Sequence, residues 1–210
     1  ESAVSREHQI IVGKDGLITI AGGKLTTFRR MSAEVVDTAV KLLRLSNQLP
    51  EKITQAETDT APLPGAVNWP PDDDHARVAR EILDVGNGHV EEDTAALLSN
   101  TYGMRGIKVA RMVYANPELG KRLEEGRPEI LAQVDFGVLE ELAATVTDMM
   151  IQRTQIFYRS LDQGLESSRV VAARMQDLLG WTDEEREHHI TQYAHDVALS
   201  RKWREELGSE

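Results

Sequence analysis

Gly22, Gly23 and Lys24 stand between a run fit for a buried strand, Leu17-Ile18-Thr19-Ile20-Ala21, and a stretch whose apolar residues recur at helical spacing from Thr26 onward. A strand, a Gly-Gly turn and a helix start leave unpaired backbone N–H groups aimed at one place, with about half a positive charge added by the helix dipole. Lys24 contributes a full charge there, and the missing side chains of the two glycines let an anionic group approach the backbone closely. The chemistry open to such a tip is the electrostatic stabilisation of negative charge. By itself the pattern is unspecific, because glycine turns between a strand and a helix are common. It is not the dinucleotide fingerprint, since G-x-G-x-x-G is absent from the chain.

The other chemistry-bearing residues read more plainly. His188, His189 and His195 include no pair four apart, so the metalloprotease arrangement on one helix face is missing, and no metal site is expected. Asp72-Asp73-Asp74 and Glu91-Glu92-Asp93 fall at predicted helix starts, where the dipole favours carboxylates, and they lack the alternating spacing of a calcium loop. Arg153 lies on an apolar stripe, four residues after Met149 and four before Phe157, so its head group needs solvent or a carboxylate; a buried or half-buried ion pair is expected. Arg201-Lys202-Trp203-Arg204 combines cations with an indole that could touch a membrane interface, but cations also suit the last turn of a helix.

These residues need elements to hold them. Glu7 to Val12 and Leu17 to Ala21, joined by Gly13-Lys14-Asp15-Gly16, read as a β-hairpin, and a long amphipathic helix follows to about Leu45, with Thr26 or Thr27 placed to cap it. Residues 46–71 hold five of the seven prolines and form a connector. Helices are then predicted at Asp72 to Val85, Glu91 to Asn100, Arg105 to Tyr114, Val138 to Leu161 and Ser168 to Leu179. The last of these ends at Gly180, and a capping box, Thr182-Asp183-Glu184-Glu185, opens a final helix to Leu207. The fold class is therefore mainly α: a small N-terminal hairpin and helix over 1–45, a Pro-rich connector over 46–71, and an all-helical domain over 72–210.

Composition narrows the partners. The chain has 210 residues and no cysteine, which excludes disulfides and thiolate chemistry. Residues 1–45 carry a net charge of +2 and the remainder −13, giving −11 overall, so the acidic part is a poor surface for nucleic acid. No apolar run has membrane-spanning length, and a cytoplasmic setting is expected. The opening Glu1-Ser2-Ala3-Val4, without methionine and directly before strand-like sequence, suggests a piece of a longer protein.

Together, "SREH" at Ser5 to His8, "GLITIAGGKLTTFRRMSAEVVD" from Gly16 and "APLPGA" at Ala61 to Ala66 resemble the FAD-dependent glycerol-3-phosphate dehydrogenases, the quinone-linked aerobic flavoprotein oxidoreductases of glycerol metabolism. "GGKLTT" followed by an aromatic residue and an arginine carries the likeness most specifically; Phe28 stands where tyrosine is commoner in the family, keeping the ring and dropping the hydroxyl. The helical remainder resembles the family's C-terminal domain mainly in length and layout, with "YGMRG" at Tyr102 to Gly106 and "IQRTQ" at Ile151 to Gln155.

The resemblance implies that residues 1–45 are the last pieces of the flavin and substrate domains, with Gly22, Gly23, Lys24, Leu25 and Thr26 facing the isoalloxazine of FAD. Hydride leaving C2 of glycerol 3-phosphate for the flavin builds negative charge on the ring, which the helix start and Lys24 would stabilise. Lys24 is then a catalytic and substrate-binding residue, and Arg6 a second substrate ligand through its two-donor guanidinium. His8 is either a structural neighbour of Arg6 or a participant. The base is expected outside this chain, and the product is dihydroxyacetone phosphate. By the same resemblance the electrons pass to quinone, with the enzyme peripheral on the inner face of the cytoplasmic membrane and a homo-oligomer compatible with the family. FAD is expected in the full-length enzyme and not on this chain alone, which should be inactive. The alternative is a helical module for dimerisation, partner docking or membrane docking, with no chemistry of its own.

Overall fold

A computed structural model describes residues 7–46, 53–54 and 56–207, with side chains to residue 203. The chain divides into two compact units, Glu1–Leu63 and Pro64–Glu210. The fold is mainly α, with a small antiparallel sheet at the front.

In the first unit, strands β1 (His8–Val12) and β2 (Ile18–Gly22) pair antiparallel, His8 opposite Gly22 and Val12 opposite Ile18. The turn closes as its residues dictate: Gly16 takes φ +87°, and the Asp15 carboxylate accepts the Leu17 N–H at 3.1 Å. A 3-10 turn at Leu25–Thr27 then leads into α1 (Phe28–Leu45). The regular helix thus starts two residues later than its periodicity predicts, and Thr27 is the reason. Its hydroxyl turns back to Lys24, accepting from the N–H at 3.3 Å and donating to the carbonyl at 2.9 Å, instead of capping the first turn of α1. Among the described residues of this unit none is buried, and Leu25, Phe28 and Leu45 are largely exposed.

The second unit is helical: α2 (His75–Gly86), α3 (Glu92–Tyr102), α4 (Gly106–Ala115), α5 (Leu131–Glu141), the short α6 (Ile156–Arg159), α7 (Ser167–Leu179) and α8 (Asp183–Leu207). Asp74 caps α2 by accepting the Arg77 N–H at 2.9 Å. Gly180 ends α7 in the left-handed region, and Thr182 and Glu185 exchange the reciprocal bonds of the capping box. Glu91 and Asp93 do stand at the start of α3, but Arg122 claims them: its guanidinium reaches both Asp93 oxygens at 2.8 and 2.9 Å and Glu91 at 2.5 Å, folding the segment before α5 onto α3.

Two hydrophobic cores share α5. Ile82, Leu98, Val113 and Phe136 belong to one; Val134, Met149, Met150, Val171 and Tyr193 belong to the other. Residues 132 to 138 of α5 are all buried, because each face meets a different core.

The long helix expected from Val138 to Leu161 does not form. Of its apolar stripe Ala143, Val146, Met149 and Met150 are buried, but Leu139 and Leu142 are exposed, because the backbone breaks twice. Leu142 takes φ +57°, and the Asp148 carboxylate caps a new start by accepting the N–H groups of Ala144 and Thr145 at 3.1 and 3.0 Å. A π-helical turn over Asp148–Arg153 follows and ends at Gln155, φ +59°. Periodicity records which residues face the core and is blind to one left-handed residue between two helical stretches.

Candidate functional site

The glycine turn is built from the end of β2 and the start of α1. Gly22 and Gly23 have φ of +81° and +85°, a region that side chains rarely adopt. Each is also crowded: a Cβ on Gly22 would stand 2.7 Å from the Glu7 carbonyl oxygen, and one on Gly23 would stand 2.5 Å from Met31 Sδ and 3.3 Å from His8 Cβ. The glycines therefore let the chain reverse tightly between the ribbon and α1. Lys24 follows in extended backbone, exposed, and among the described residues its ammonium makes no ion pair. Leu25 and Thr26 open the 3-10 turn, where a helix start leaves its N–H groups without intrahelical partners. The structure thus brings Gly22, Gly23, Lys24, Leu25 and Thr26 together at one tip. Arg6, the expected substrate ligand, lies outside the described residues.

Beside the tip runs an open apolar groove of about 600 Å³ whose wall includes Ile20, Leu25, Phe28, Met31 and Val35. On the other side is a polar cluster that sequence reasoning missed. His8 Nε2 meets Glu34 Oε2 at 2.7 Å, and Arg30 Nε donates to Glu34 Oε1 at 2.9 Å. The Arg30 guanidinium first, and His8 second, hold the Glu34 carboxyl below the usual carboxylate range. The available signal was the i,i+4 spacing of Arg30 and Glu34; the contact with His8 spans 26 residues and no local pattern encodes it.

In the second unit, Tyr102 and Arg105 of one motif and Gln152, Arg153 and Gln155 of the other line a single polar depression of about 450 Å³. Arg153 makes the half-buried ion pair expected of it, 3.4 Å from Glu141 Oε2, and donates to the Glu141 carbonyl at 2.9 Å. Arg105 lies 4.6 Å over the Phe136 ring and also reaches Glu141. These contacts join the turn before α4, α5 and the π-helical turn, and every charged group in the depression already faces an opposite charge. Burial pushes the Tyr102 phenol up to about 12. Among the described residues no group of three or more His, Asp or Glu could hold a metal ion, and no helix is long and apolar enough to cross a membrane.

Comparison with known proteins covers most of the chain. A family model described as the C-terminal domain of alpha-glycerophosphate oxidase matches residues 56–186. A glycerol-3-phosphate dehydrogenase of Synechocystis sp. is 34% identical over 181 residues, covering 86% of this chain and 31% of that protein. The mitochondrial glycerol-3-phosphate dehydrogenase of Mesocricetus auratus is 33% identical over 185 residues, covering 86% of this chain and 24% of that protein. A crystal structure of glycerol-3-phosphate dehydrogenase from Bacillus halodurans, complexed with FAD, superposes with a TM-score of 0.68 at 25% identity, over 90% of this chain and 36% of that one. The chain therefore spans about a third or less of the length of these relatives.

Proposed function

The chain belongs to the family of the alpha-glycerophosphate oxidase C-terminal domain, and on that premise we propose that it is part of an FAD-dependent glycerol-3-phosphate dehydrogenase. The parent oxidises glycerol 3-phosphate to dihydroxyacetone phosphate and passes the electrons to quinone at a membrane face, as a peripheral protein and a homo-oligomer. Residues 1–45 close the flavin and substrate body, 46–71 connect, and 72–210 form the helical domain.

The observation that carries this reading is the tip at Gly22 to Thr26, two positive-φ glycines followed by a lysine with no ion pair among the described residues and a helix start. Its donor set suits the electron-rich edge of a flavin: positive in sign and next to an apolar groove that can exclude water. FAD, when bound, supplies the hydride acceptor. The backbone N–H groups of Leu25 and Thr26 and the Lys24 ammonium hold the negative charge that the transfer creates. Lys24 and Arg6 also hold the substrate, and exposed Leu25 and Phe28 keep the site dry. That no described residue of the first unit is buried also supports the reading, because such a unit needs a larger body to cover its apolar side chains.

Lys24→Met in the full-length, FAD-loaded protein tests the proposal. Loss of one aligned donor of this kind costs about a hundredfold in kcat, and removal of the cation should make the flavin potential more negative. If turnover of glycerol 3-phosphate and the potential both stay at wild-type values, the proposal fails.

A further inference from the structure

We propose that His8 and Glu34 are positioning residues whose pair sets the aim of the Gly22–Gly23–Lys24 tip; this rests on the flavin-facing reading above. Thr27 holds Lys24 within the tip, but the angle between ribbon and helix needs a contact that reaches across. A two-stranded ribbon is marginal in water, and no described residue of this unit is buried, so packing alone cannot fix the angle between ribbon and helix. The polar side-chain contact that spans the two is the 2.7 Å one between His8 on β1 and Glu34 on α1.

The geometry makes this pair a clamp across the tip. His8 is the register partner of Gly22, the last residue of β2, so a force on His8 is transmitted through the ladder to the first residue of the turn. The His8 Cβ also lies 3.3 Å from where a Cβ on Gly23 would stand, with the Met31 thioether closing on Gly23 from α1. The Glu34 carboxylate is held in turn by Arg30 at 2.9 Å, which keeps it ionised and fixes the oxygen that His8 meets. With Glu34 ionised, His8 Nε2 carries the proton and donates. Glu7, Arg30 and Thr27 complete the wall around the pair. The tip is therefore seated between two anchored points, one on each side of the glycines, and neither anchor needs to touch substrate. A misplacement of about 1 Å in an active site can cost on the order of a hundredfold in rate, so this seating matters in proportion to how closely the tip must face the ring.

The experiment uses the full-length, FAD-loaded protein with His8→Ala, Glu34→Ala, the double variant and His8→Gln, which keeps a donor toward Glu34. Each single alanine should lower kcat about tenfold with KM for glycerol 3-phosphate within about twofold of wild type. Each should also shift the flavin potential in the same direction as Lys24→Met and speed amide exchange at Gly23 to Thr26 about tenfold. The double should be no worse than the worse single, since one clamp is lost only once, and His8→Gln should recover most of the loss. Multiplying effects in the double, or unchanged exchange at Gly23 to Thr26 in either single, overturn the proposal. If Lys24→Met alters rate and potential while the alanine variants alter neither, the clamp is refuted and the flavin reading stands. If Lys24→Met alters nothing, the flavin reading falls and the inference falls with it.

Discussion

Gly103→Ala should destabilise the helical unit far more than Gly180→Ala, although both glycines have positive φ. Gly103, between α3 and α4, takes φ 58° and ψ −135°, a region used almost only by glycine, at a cost of about 1–3 kcal/mol for a residue with a side chain. A Cβ there would stand 2.4 Å from the Gly65 carbonyl oxygen and 3.0 Å from its carbon, while one on Gly65 would stand 2.6 Å from the Tyr102 carbonyl oxygen. Both neighbours are backbone, so no side chain can swing aside, and opening the contact adds overpacking of about 1–3 kcal/mol. The sum is about 4 kcal/mol. Gly180 sits at φ 71° and ψ 30° with nothing within 4 Å of a Cβ, so alanine there costs about 1 kcal/mol. Urea unfolding followed by tryptophan fluorescence reads this directly, because Trp69, Trp181 and Trp203 all lie in the unit Pro64–Glu210. With a slope of about 2 kcal/mol per molar urea, the two midpoints should differ by about 1.5 M. Midpoints that agree within about 0.3 M would refute the backbone-on-backbone account of Gly65 and Gly103.

Two further outcomes follow from polar groups of the helical unit. Arg174 grips Asp135, which is only 4% exposed, with Nε at 2.6 Å and Nη2 at 2.5 Å; Arg174→Met strands that carboxylate and should cost about 3 kcal/mol, the low end for a buried pair because the arginine is partly exposed. Thermal and urea unfolding check it, and Asp135→Leu combined with Arg174→Met should recover part of the loss. Burial pushes the Asp162 carboxyl up, but Ser160 and the backbone N–H groups of Glu166 and Gly164 outweigh it, so its pKa lies below the ordinary 3.8. A lowered carboxyl stabilises the fold above the unfolded value and loses that contribution as pH falls through the folded one. The stability gap between wild type and Asp162→Asn should hold at pH 5 and narrow below about pH 3.8; a gap that widens toward acid contradicts the assignment.

The parts of this fold legible in the sequence were those with a local cause. Thr182 and Glu185, Gly180 and Asp74 act over three or four residues through groups that any chain would present in the same way, and each does what its type suggests. The residues that failed to announce themselves depend on tertiary partners. Helix α5 went unseen because it is walled by a core on each side; with 132 to 138 all buried it has no polar face and therefore no period to detect. The breaks at Leu142 and Gln155 carry no glycine or proline; the first is followed by a local cap in which Thr145 and Asp148 exchange bonds, whereas Gln155 has no side-chain cap at all. At the candidate site the glycines and Lys24 were readable as a tip, whereas the pairing of His8 with Glu34 needed the strand register and the helix direction together.

The placement of α5 also constrains how such a chain can change over generations. Because one helix is the common wall of both cores, a crossover between genes anywhere in 131–141 would join two half-walls selected for different neighbours, and neither core would be closed. The junction at Leu63 and Pro64 falls between two compact units and cuts through neither core. Inheritance should therefore keep the two cores together and place crossovers outside 131–141.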